Sequence, residues 1–139
     1  MSSTPTLSDS RQSQNEIPRV PLISSVDDDE SVRQALKSLM DSVGFRAEVF
    51  GSGEAFLDSP YVSQTDCLIA DVRMPGMSGL ELQDRLSAAG RSIPIVFTSA
   101  HDDNEARARG LRAGAIDFLQ KPFSEDSLLG AISVCLDKS

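Results

Sequence analysis

From Pro21 onward, short apolar runs alternate strictly with stretches whose apolar residues recur at helical spacing, and few folds accept that order. "LISSV" stops at three aspartates. After it, Val32, Ala35, Leu36, Leu39, Met40 and Val43 mark one face of a helix, and Gly44 supplies its stop. "RAEVF" reads as a second strand, followed by a short helix over "GEAFLD". "DCLIAD" is apolar between its acidic ends, the pattern of a strand covered on both faces. Leu82, Leu86 and Ala89 mark the next helix, closed by Gly90. "IPIVFTS" is a fourth strand. "DDNEARARGLRAG" is a helix with a thin apolar stripe, carrying Gly110 inside it and Gly114 at its end. "AIDFLQ" gives a fifth strand, "KPF" a turn, and Ser124 caps a last helix through Leu128, Ile132 and Leu136. Five β/α units in strict alternation predict an α/β fold, a parallel sheet with helices on both faces.

The remaining chain adds bounds. A length of 139 residues with 40% hydrophobic content suits one domain with a real core and leaves little room for a second. Residues 1–18 are rich in Ser, Thr and Gln and are predicted to be a disordered tail, so the folded domain is placed at 19–139. A net charge of −8 argues against a nucleic-acid-binding surface. No apolar run approaches the roughly 20 residues that cross a bilayer, and the N-terminus lacks the apolar core of a signal peptide. The expectation is a cytoplasmic protein without a membrane partner. Cys67 and Cys135 belong to no CxxC pair and read as buried, reduced core residues.

In doubly wound sheets, functional groups gather in the crevice beyond the carboxyl ends of the strands. Here the first strand ends in Asp27 and Asp28, the third in Asp71, the fourth in Thr98 and Ser99, and the fifth in Lys121. Two carboxylates about 5 Å apart repel by roughly 3 kcal/mol at an effective dielectric near 20. Three of them call for a cation, and an all-oxygen set with open positions suits Mg²⁺ better than zinc or copper. Asp29 and Glu30 are explained without a metal, as acidic groups favoured by the dipole at a helix start. His101, the single histidine, falls on a polar loop with no nucleophile elbow, so a solvated residue is expected rather than half of a hydrolase pair. Arg107, Arg109 and Arg112 read as a solvated helix face. Met74, Pro75, Gly76 and Gly79 shape the loop after Asp71.

Four stretches in order, "VDDDESVR", "LIADVRMPGMSGLEL", "VFTSAH" and "FLQKPF", resemble the receiver domain of two-component response regulators, of the kind often fused to a helix-turn-helix output domain. The likeness covers roughly residues 20 to 137. It implies a flavodoxin-like sheet of order 2-1-3-4-5 with five helices. By resemblance, Asp71 is the phosphoacceptor, Asp28 a direct metal ligand, Asp27 the holder of metal-bound water, and Arg73 a ligand through its backbone carbonyl. Lys121 corresponds to the lysine that pairs with the phosphoryl group, in a Lys121–Pro122 bond that is commonly cis. Ser99 stands at the switch hydroxyl, 28 residues after Asp71 and 22 before Lys121. Thr98 then points to the other side of its strand. Phe118 falls at the aromatic switch position.

The resemblance further implies Mg²⁺ as cofactor, with Mn²⁺ able to substitute, and a sensor histidine kinase or phosphotransfer protein as partner. It implies signalling through the surface of the fourth helix, fifth strand and fifth helix, which is also the expected face of a homodimer. The protein is then a regulator that assists its own phosphorylation and dephosphorylation, not an enzyme with a free substrate. Two rivals stand beside it. A haloacid-dehalogenase-type phosphatase or phosphotransferase also uses an aspartyl nucleophile and Mg²⁺, but places a second Asp where this chain has Arg73, and the chain is short for a cap domain. A receiver-like module that is never phosphorylated would have no use for the full acidic set and Lys121.

Overall fold

Residues 19–138 are described by a computed structural model; the tail predicted to be disordered, 1–18, lies outside them. Strands β1 (Leu22–Val26), β2 (Arg46–Phe50), β3 (Cys67–Asp71), β4 (Ile95–Ser99) and β5 (Asp117–Gln120) alternate with helices α1 (Glu30–Ser42), α2 (Gly53–Leu57), α3 (Gly79–Ala88), α4 (Asn104–Arg112) and α5 (Glu125–Lys138). A 3₁₀ turn, Val62–Gln64, precedes β3. All pairings are parallel and the sheet order is β2-β1-β3-β4-β5, as expected.

Burial explains the strand sequences. Every residue of β1, β3 and β4 is buried, so their continuous apolar runs serve two covered faces, while edge strands β2 and β5 are mixed. Alternation then sorts the side chains. Cys67 and Ile69 of β3 and Val96 of β4 join the core under α1 and α5, with Leu36, Met40, Leu128 and Ile132. Leu68, Ala70, Ile95 and Phe97 face the opposite core, with Phe56, Leu82, Leu86 and Phe118. Both cysteines are buried in the α1/α5 core and neither forms a disulfide among the described residues. Contact with Cys135, and then burial, push the Cys67 thiol up, which keeps it protonated and inert.

Caps set the boundaries. Asp29 accepts the Ser31 N–H at the start of α1, Asp103 caps α4, and Ser78 with Glu81 forms a capping box on α3. Ser124 accepts the Ser127 N–H at 3.0 Å before α5. Beyond α1, Gly44 takes φ +87, a left-handed value that a side chain resists. Strands β4 and β5 begin two residues later than the sequence suggests: β4 starts at Ile95 because Pro94 has no N–H to give, and β5 starts at Asp117 at the sheet edge.

Candidate functional site

The parallel register brings the strand ends to one rim. Val26 lies opposite Ala70, Asp71 opposite Thr98, and Ser99 opposite Gln120. The backbone ladder continues one residue past the strands: Asp27 N–H donates to Phe50 O at 3.1 Å, Val72 N–H to Thr98 O at 2.9 Å, and Lys121 N–H to Ser99 O at 2.7 Å. Asp27, Asp71 and Lys121 therefore sit on a backbone as fixed as the sheet itself.

Asp27, Asp28 and Asp71 each bring a carboxylate oxygen to within 4.8 Å of the others. Asp27 and Asp71 are buried and Asp28 is exposed. Lys121 reaches across the crevice, its Nζ 2.8 Å from Asp27 Oδ2 and 3.2 Å from Asp71 Oδ2. The Lys121–Pro122 peptide is cis. Burial pushes the Asp71 carboxyl above its ordinary range; Lys121 pulls it down, the Asp27 charge raises it further, and the Arg73 N–H, 3.2 Å from Oδ1, lowers it. For Lys121, burial opposes the ammonium, but the hydrogen bond to Asp27 and the charges of Asp71 and Asp27 outweigh it and hold the ammonium charged. One cation thus pairs with two of the three carboxylates. The remaining negative charge, offered entirely by oxygen, fits a hard divalent ion such as Mg²⁺. Arg73 turns its side chain away from this cluster, to Asp103.

Ser99 is fully buried, and its Oγ accepts the His101 N–H at 3.1 Å. Strand alternation puts Ser99 on the side of Phe97 and Phe118, away from Thr98. Phe118 is 5% exposed, so its ring already lies inward, 6.4 Å from the Phe97 ring. His101 is exposed, and its bond to Ser99 is made by its backbone N–H.

One supporting residue, Arg33, escaped the sequence reading, and two others, Gly79 and Arg107, do more than it assigned to them. Arg33 Nη1 donates to the Asp27 carbonyl at 2.8 Å and so fixes the acidic turn from α1. Gly79 opens α3 directly against Asp71: a Cβ there would lie 2.3 Å from the Asp71 carbonyl oxygen, so no side chain fits. Arg107, read as solvated, donates to the Phe118 carbonyl at 3.1 Å, and Arg109 pairs with Asp84. Within "ESVR" and "RARGLR" nothing distinguishes these arginines from surface ones, since their partners are distant in sequence. Gly79 was legible only as a turn residue.

Fold and rim together define a doubly wound α/β protein with an acidic site at its topological switch point. The chain belongs to the response regulator receiver domain family, whose model matches residues 23–133; it is a receiver domain of the two-component type. It is 50% identical over 111 residues to the response regulator protein TmoT of Ectopseudomonas mendocina, covering 80% of this chain and 50% of that one. With the response regulator protein TodT of Pseudomonas putida it shares 47% over 118 residues, 85% of this chain and 52% of that one. Among solved structures, StyR superposes with a TM-score of 0.81 at 48% identity, over 86% of this chain and 61% of that chain. FixJ-N superposes at 0.79 and 32%, over 87% and 97%. The chain spans about half the length of the relatives TmoT and TodT. Receivers of this family generally bind Mg²⁺ and work with histidine kinases, and the acidic cluster agrees with the first of these. Among the described residues, no helix is long and apolar enough to cross a membrane.

Proposed function

We propose that Asp71 accepts a phosphoryl group from the phosphohistidine of a sensor kinase or phosphotransfer protein, and that this modification switches the surface of α4, β5 and α5. The observation that carries the reading is the Lys121 bridge: its ammonium contacts both Asp27 and Asp71 while Asp28 completes the oxygen cluster. Asp27, Asp28, Asp71 and the Arg73 carbonyl would hold Mg²⁺, with Mn²⁺ as a substitute. When bound, that ion supplies neutralisation of the charge that gathers on the transferring oxygens.

An Asp71 carboxylate oxygen forms the new bond to phosphorus as the donor's P–N bond breaks, and the imidazole leaves with the electron pair. Lys121 is placed to pair with one phosphoryl oxygen and Ser99 to donate its hydroxyl hydrogen to another, because the His101 N–H occupies a lone pair of Oγ and not that hydrogen. Water releases the group by attack on the acyl phosphate. The protein thus assists its own modification without turning over a free metabolite, which is regulation and not enzymology. A cytoplasmic location and a homodimer through the α4/β5/α5 face belong to the same reading; exposed Arg107 and Arg112 on α4 and exposed Glu125 and Asp126 on α5 give that face both signs of charge.

Incubation with Mg²⁺ and acetyl phosphate tests it by intact mass. One phosphoryl group is expected on the wild-type chain and none on Asp71→Asn. Unchanged uptake in that variant, or steady hydrolysis of a general phosphate ester, would overturn the reading.

A further inference from the structure

Helix α4 is fastened to the loop after Asp71 by one ion pair. Arg73, two residues past Asp71, brings Nη2 to 2.5 Å from Asp103 Oδ2. The other oxygen of that carboxylate, Oδ1, accepts the Ala106 N–H at 3.0 Å and caps the helix. A single side chain therefore closes the first turn of α4 and ties it to the peptide whose own N–H reaches Asp71 Oδ1. Little apolar contact duplicates the tie, since α4 buries just Ala106 and Gly110.

One turn further along, Arg107 grips Phe118. Its Nη1 donates to the Phe118 carbonyl at 3.1 Å, and its guanidinium carbon lies 5.9 Å from the ring centroid. Phe118 packs on Phe97, and Phe97 in turn fills the space beside Gly110, where a Cβ would approach its Cε2 to 2.9 Å. Any displacement of α4 must alter the surroundings of that ring.

We propose that the Arg73–Asp103 pair is a charge-exchange latch: it holds α4 to the unmodified site, and a phosphoryl group on Asp71 competes for Arg73 and frees the helix, with Arg107 passing the movement to Phe118. The proposal rests on Asp71 being the phosphoacceptor. A phosphoryl group carries close to two negative charges at neutral pH, where Asp103 offers one. The Arg73 side chain is 56% exposed, so its present pairing is screened by solvent and weak enough to exchange. The planar guanidinium serves carboxylate and phosphoryl oxygens alike. Lys121, the other cation at the rim, also contacts Asp27 and can pair with one phosphoryl oxygen, which leaves charge for Arg73 to meet. Arg73 is thus a positioning residue through its side chain, separate from the role of its carbonyl.

Asp103→Asn is the discriminating variant, because Asn keeps an N-cap acceptor and removes only the charge. Backbone amide NMR on the full chain with Mg²⁺, with and without beryllofluoride as phosphoryl mimic, reads both states. Without mimic, the α4 and Phe118 amides of Asp103→Asn should already lie part of the way towards their wild-type positions with mimic, and the further shift on adding mimic should shrink. Arg73→Ala should behave the same way and Arg73→Lys should follow the wild type. Amides of α4 that coincide in Asp103→Asn and wild type in both states would overturn the latch, and so would Arg73→Lys tracking the alanine variant. A wild-type chain that takes up no mimic sinks the phosphoacceptor reading as well, whereas uptake with an indifferent Asp103→Asn sinks the latch alone.

Discussion

Helices α4 and α5 flank the same edge strand, yet they are held by different physics. Helix α5 buries Leu128, Ala131, Ile132 and Cys135, each at most 5% exposed. Helix α4 buries Ala106 and Gly110, and its remaining attachments are polar: Arg73 to Asp103, Arg109 to Asp84, Gln83 Nε2 to the Gly110 carbonyl, and Arg107 to the Phe118 carbonyl. Apolar burial is non-directional and offers no alternative partner. A hydrogen bond or exposed ion pair can be exchanged for another at small net cost. The contrast assigns α5 to the scaffold and α4 to the part that can respond to charge at the rim.

Truncation at the α5 anchor is the strongest test. Ile132 is fully buried between the sheet and α5, and Ile132→Ala should lower the unfolding free energy by about 2–5 kcal/mol in urea titration. A loss smaller than that of any single α4 substitution would erase the distinction. Gly110→Ala comes next. Alanine recovers about 1 kcal/mol of helix propensity, but its Cβ would sit 2.9 Å from Phe97 Cε2 and 3.0 Å from Cδ2. Overpacking of this kind costs about 1–3 kcal/mol, so a net loss near 1 kcal/mol is expected. A more stable Gly110→Ala protein would mean that Phe97 moves aside freely and that α4 is not closely seated.

The same contrast decides what could be read from the sequence. Apolar anchors repeat at fixed spacing, so the five strands and the helices were legible, with α5 visible through Leu128, Ile132 and Leu136, while the sheet order came from the family resemblance. The acidic rim was legible for a related reason: strand ends in a doubly wound sheet converge, and Asp27, Asp28, Asp71 and Lys121 meet there. Polar ties carry no period. Arg73 and Asp103 are 30 positions apart, and Arg33 reaches a backbone carbonyl that any residue would present. Their partners follow from packing already assembled, which is why Arg107 was read as solvent-facing, as it is, without its bond to the Phe118 carbonyl. Phe118 was legible only by resemblance, at the aromatic switch position, and its ring lies inward under Arg107.

The weakest attachment sharpens the comparison from below. Arg109 Nη2 lies 2.7 Å from Asp84 Oδ2, a good distance, but the two side chains are 53% and 58% exposed. Water solvates both charges when the pair opens, and ordering two long side chains opposes its closure. Arg109→Ala should therefore change stability by less than about 0.5 kcal/mol, and raising the salt concentration should shrink even that. A loss approaching that of Ile132→Ala would mean that exposed polar ties bear the weight of α4. The helix could not then be released by exchange of one partner, because its remaining polar attachments would hold it in place.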